Sequence, residues 1–139
     1  MKRGFTLLEI MLTLVILSTV LAVVAISGRN APRQEAEDRL KNNLRMTRDA
    51  LEAMYQDVGR YPLQLSDLTR ETAPAQGYDW EEWDVKSIDA ATWAGPYLAA
   101  VPTDPVANAP LVYTFEQGQG KVAAAASGSD SQGVPFSSY

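Results

Sequence analysis

The chain has 139 residues, enough for one modest domain, and contains neither cysteine nor histidine. Disulfides, Cys/His metal sites, thiol nucleophiles and histidine-dependent triads are therefore excluded. Twelve Lys+Arg against 17 Asp+Glu give a formal net charge of -5, which argues against nucleic acid as a partner, because phosphates call for a positive surface.

The apolar residues gather at the N-terminus. Lys2 and Arg3 precede a run from Phe5 to Ile26 that is broken only by Thr6, Glu9, Thr13, Ser18 and Thr19. As a helix this run would span roughly 33 Å, close to the hydrocarbon thickness of a bilayer. The basic flank and the acid-rich remainder orient such a span with its N-terminus in the cytoplasm and the rest exported. The lack of cysteine is compatible with an oxidising compartment. A cleaved secretory signal shares the basic start and could end near Val23-Val24-Ala25, but the run is long for a signal core and contains Glu9. A plain membrane anchor must also explain Glu9. A carboxylate costs about 2.5–3.5 kcal/mol near the centre of a span and less toward the interface, where Glu9 falls, and it calls for a partner.

Ser27-Gly28-Arg29-Asn30-Ala31-Pro32 predicts a kink, a melted turn or a short non-helical stretch, serving either as a simple linker or as a hinge. Helical spacing returns from Arg33 to Val58, with Leu40, Leu44, Thr47, Leu51, Met54, Tyr55 and Val58 on one face. Glu35/Arg39, Glu37/Lys41, Arg45/Asp49 and Arg48/Glu52 are four apart and predict ion pairs on the opposite, solvated face. Gly59 and Pro62 mark the stop. Ser66 to Glu71 predicts a short helix with Ser66 as its N-cap. Between Thr72 and Trp93, Tyr78, Trp80, Trp83 and Trp93 alternate with Asp79, Glu81, Glu82, Asp84 and Asp89. That mixture fits an insertion whose aromatics cover a small core while the acids stay wet; the rival reading is a carbohydrate or glycosidase site with paired carboxylates. Gly95-Pro96-Tyr97-Leu98 and Val101-Pro102-Thr103-Asp104-Pro105 read as turns. Leu111, Tyr113 and Phe115 share one face of a strand, and Lys121 to Ala126 returns as its hairpin partner.

Gly4-Phe5-Thr6-Leu7-Leu8-Glu9, directly after Lys2-Arg3 and at the head of the apolar run, resembles the signal motif of type IV pilins and type II secretion pseudopilins. The resemblance implies that a prepilin peptidase cuts between Gly4 and Phe5 and methylates the new Phe5 amine. Glu9 then becomes the acid that pairs with the Phe5 ammonium of a neighbouring subunit, so that two charges costly alone in lipid select the assembly register. Met54-Tyr55, Asp57, Arg60-Tyr61-Pro62, Gly95-Pro96-Tyr97-Leu98 and Pro102-Thr103-Asp104-Pro105 look like the G-type major pseudopilins.

The fold implied is α+β and pilin-like, a long N-terminal transmembrane and spine helix packed on a small antiparallel β head. It divides into a leader (1–4), a transmembrane and assembly helix (5–27), a hinge and amphipathic spine helix (28–58) and a periplasmic head with a C-terminal hairpin and loop (59–139). The function implied is that of a non-enzymatic, single-pass inner-membrane subunit that polymerises into a helical pseudopilus and drives folded proteins across the outer membrane. Its partners would be further copies of itself, other pseudopilins, the inner-membrane assembly platform and the prepilin peptidase. A type IV pilin or a minor pseudopilin is the alternative, and a secreted enzyme or carbohydrate-binding module built on Trp80 and Trp83 is the reading from another class. Two departures stand out. Ile26 occupies the place of the family's usual proline. The family's C-terminal loop binds calcium, and here Asp130 matches its first acid, but the closely spaced acids that normally follow are absent. Calcium takes six to eight oxygens, so Asp130 reads better as a turn residue than as a strong ligand.

Overall fold

The computed structural model describes residues 6–139, excepting the side chains of 23–30. Thr6 sits in extended backbone, and its hydroxyl accepts the Glu9 amide at 3.3 Å, which caps the start of a 52-residue helix, α1 (Leu7–Val58). The expected non-helical stretch around Gly28 and Pro32 is not found: the helix runs through both positions. A proline removes only one backbone N–H from the ladder, and the long helical segments on either side carry the chain across that gap. Gly59 ends α1 as expected, in the left-handed region at φ +63°, with its amide donating to the Tyr55 carbonyl at 2.8 Å.

Three two-stranded antiparallel sheets form the head: β1 (Gln76–Tyr78) with β2 (Val85–Ser87), β3 (Thr103–Asp104) with β4 (Ala109–Pro110), and β5 (Val112–Glu116) with β6 (Gln119–Ala123). The β5–β6 hairpin is the one the alternating pattern predicts, with Tyr113 opposite Val122. Its return strand begins two residues earlier than expected because the connection is only Gln117-Gly118, both at positive φ (54° and 77°). A Cβ on Gly118 would come within 2.6 Å of the Trp80 carbonyl oxygen, so glycine is needed there twice over.

The β1–β2 hairpin lies in the segment where no strand is expected. Tyr61 extends this pairing by exchanging backbone hydrogen bonds with Tyr78 at 3.0 and 2.8 Å. Ser66 does not cap a helix either. A five-residue 3-10 turn (Leu65–Thr69) starts after Gln64, whose amide donates to the Asp67 carboxylate at 3.2 Å. The core lies between the lower half of α1 and the head: Leu40, Leu44, Leu51 and Met54 pack with Leu65, Leu68, Leu98, Leu111, Val122 and Phe136. Tyr78 stacks on Phe115 (centroids 4.5 Å apart), and Tyr55 stacks on Tyr61 (4.8 Å). The architecture is α+β, a long N-terminal helix packed on small antiparallel sheets, as the pilin-like expectation requires.

Asp104 fastens two loops to one another. Its side chain is wholly buried; Oδ1 accepts the Val106 and Ala107 amides at 2.8 and 3.0 Å, and Oδ2 accepts those of Ala125 and Ala126 at 2.9 and 2.8 Å. Four amide donors replace the water that this carboxylate gives up.

Candidate functional site

The first four turns of α1 have no cover from the head. Leu7, Leu8, Leu12, Ile16, Leu17 and Val20 are all more than half exposed, and they point to every side of the helix rather than along one stripe. An apolar surface of this kind needs lipid or other helices around it. Glu9 is the only acid of this stretch and is exposed in the first turn, where the free amides and the helix dipole favour a negative charge. The expected leader 1–4, with Gly4 as its expected cleavage residue, lies outside the described residues, as does Phe5. Among the described residues no helix is long and apolar enough to cross a membrane. The expected span, 5–27, begins before them and ends among residues whose side chains are not described.

A second constellation joins the C-terminal segment 127–139 to α1. The sequence places Glu37 and Lys41 together as an exposed ion pair, and the structure corrects this. Glu37 is buried and is met by the Arg33 Nε at 2.9 Å, the Ser131 amide at 3.0 Å and the Ser131 hydroxyl at 2.6 Å. The Ser131 hydroxyl, with its amide and Arg33, holds the Glu37 carboxyl below its usual range against the opposing effect of burial. Lys41 reaches Asp130 Oδ2 at 3.3 Å and sits 4.9 Å from the centre of the Tyr139 ring. Of the other expected pairs, Glu35–Arg39 forms at 2.6 Å, whereas Arg48 donates to the main-chain oxygens of Val122 (3.1 Å) and Tyr139.

Asp130 is a turn residue, and its acceptor capacity is full. Oδ1 takes the Gln132 and Val134 amides, both at 2.8 Å; Oδ2 takes the Lys41 ammonium and the Tyr139 hydroxyl. The Tyr139 hydroxyl, the two amides and Lys41 together hold its carboxyl well below the ordinary value. Calcium, the cofactor that the resemblance implies, does not fit here. Among the described residues no group of three or more acids gathers to hold a metal ion, and an ion at Oδ2 would meet the Lys41 ammonium.

The aromatic and acidic segment divides the same way. Trp80 and Trp83 are exposed at the hairpin tip, while Tyr78 and Trp93 pack against the core. Asp79 is buried and accepts the Glu81 and Glu82 amides at 2.8 and 3.0 Å, with Arg60 at 3.0 Å and Lys86 at 3.7 Å. The Glu82 and Glu81 amides, then Arg60 and Lys86, keep its carboxyl below the usual range. Glu82 pairs with Lys86 at 2.8 Å. The one buried acid of this segment thus serves to hold its loop, an arrangement unlike a pair of carboxylates flanking an open subsite.

Sequence reasoning singled out Glu9 and Asp130 and missed Glu37, Asp67, Asp79 and Asp104 as buried acids. No curated protein and no solved structure matches the chain. Residues 1–25 match the family model described as the prokaryotic N-terminal methylation motif, so the chain opens with the processing signal of type IV pilin-like prepilins.

Proposed function

We propose that the chain is a structural subunit, of the major-pseudopilin kind, of a type II secretion pseudopilus. The observation that carries this reading is the methylation motif leading directly into a helix whose apolar side chains the head leaves uncovered. The apolar segment inserts into the inner membrane with the head on the periplasmic side. Cleavage at Gly4-Phe5 then removes Lys2 and Arg3 and creates an ammonium one residue before the Thr6 cap, and Phe5 is methylated. Packing of many such helices buries their apolar surfaces against each other as subunits leave the bilayer. Glu9 of one copy meets the Phe5 ammonium of the next, which sets the axial register and lets a head-to-tail contact grow without closing. The filament pushes exported proteins through an outer-membrane channel. A type IV pilin or minor pseudopilin would begin from the same motif.

Intact-mass analysis of the protein from native membranes tests processing: a chain beginning at methylated Phe5 is expected, and working filaments that retain Met1–Gly4 would overturn the reading. Deleting the gene separates the roles. Loss of folded-protein export with surface pili intact supports the pseudopilus, and the converse supports a pilin. Glu9→Gln is expected to insert normally and to lose most filament yield, as measured by sedimentation.

A further inference from the structure

We propose that Lys41 supplies, as a tethered ammonium, the positive charge around which the C-terminal segment 127–139 closes, so that this segment docks on α1 without a divalent cation. Three basic side chains of α1 address the segment in turn: Arg33 donates to the Ser129 carbonyl at 3.0 Å, Lys41 to Asp130, and Arg48 to the Tyr139 main-chain oxygen. Glu37 grips the same segment from between them through Ser131. Lys41 is the central member, because the Asp130 side chain it meets is fully buried whereas its own is 41% exposed. A buried carboxylate left without its counter-charge is costly, and here the counter-charge is covalently part of the neighbouring helix. Because the ammonium belongs to the chain, it costs no translational entropy of association and requires no free divalent cation. Its ring contact with Tyr139 closes the arrangement, with the same tyrosine donating its hydroxyl to Asp130. The cleft beside it, about 210 Å³ and lined by Glu37, Asp38, Lys41 and Ser131 among others, offers an incoming cation acids whose buried member, Glu37, is already engaged.

The assignment does not depend on what the chain assembles into. Hydrogen exchange and thermal unfolding of the full-length protein in detergent, with millimolar calcium or with chelator, test it. Wild-type protein is expected to show the same exchange at the Gln132 and Val134 amides, and the same melting temperature, in both conditions. Lys41→Met is expected to raise exchange at those amides about tenfold with or without calcium, and Lys41→Arg is expected to keep most of the protection. Slower exchange or a higher melting temperature of the wild type in calcium would overturn the proposal. So would unchanged protection in Lys41→Met, or its restoration by calcium. If Lys41→Met fails to fold, the wild-type comparison and Lys41→Arg still decide.

Discussion

Leu14 and Leu44 lie on the same helix, yet one is 60% exposed and the other 1%. Around Leu44 the sequence alternates apolar and charged residues at helical spacing, and the head covers the apolar stripe with Leu111, Val122 and Phe136. Around Leu14 every side of the helix is apolar, and none of the described residues covers it. One continuous hydrogen-bonded rod therefore serves two surroundings: the lower half derives its stability from the head, whereas the upper half takes its surroundings from other molecules.

Truncation distinguishes the halves most sharply. Leu44→Ala is expected to destabilise the head by about 2–5 kcal/mol in denaturant unfolding. Leu14→Ala should leave that transition unmoved and instead reduce filament yield; equal losses of stability from both would contradict the division. Acid loosens the lower half through its buried carboxylates. The folded chain holds the Glu37 and Asp79 carboxyls below the ordinary carboxylate range, so the stability they contribute is fully present above that range. It is lost as pH falls through and below that range, because the unfolded state binds protons first. Tyrosine fluorescence and hydrogen exchange should accordingly report loosening of the C-terminal segment below about pH 4, while helix content before residue 22 holds. The smallest effect is at the stop signal. No atom lies within 4 Å of a Cβ placed on Gly59, so Gly59→Ala adds only the left-handed backbone strain, about 1 kcal/mol by thermal unfolding.

The features legible in the sequence are those encoded by neighbours in the chain. The apolar stripe from Leu40 to Val58, the Gly59 stop and the Tyr113/Val122 hairpin all follow from spacing, and the N-terminal motif is contiguous. Glu37, Asp79 and Asp104 escaped because an acid in a polar stretch reads as solvated until its partners are known. For Glu37 and Asp104 the decisive partners, Ser131 and the amides of Ala125 and Ala126, are distant in sequence. The pairing expected between Glu37 and Lys41 failed for the same reason: both side chains turn toward the C-terminal segment, where better partners wait. The β1–β2 strands are three residues each, too short for an alternating pattern to declare itself.

Asp104 has a consequence for how the head is made. Half of its amide donors follow it immediately and half arrive some twenty residues later. A nascent head released before Ala125 emerges would have only two of the four donors and could not bury this carboxylate at the same low cost. The single carboxylate thus ties the order of the head to a chain that has reached Ala126, and copies terminated before that point remain open to proteolysis.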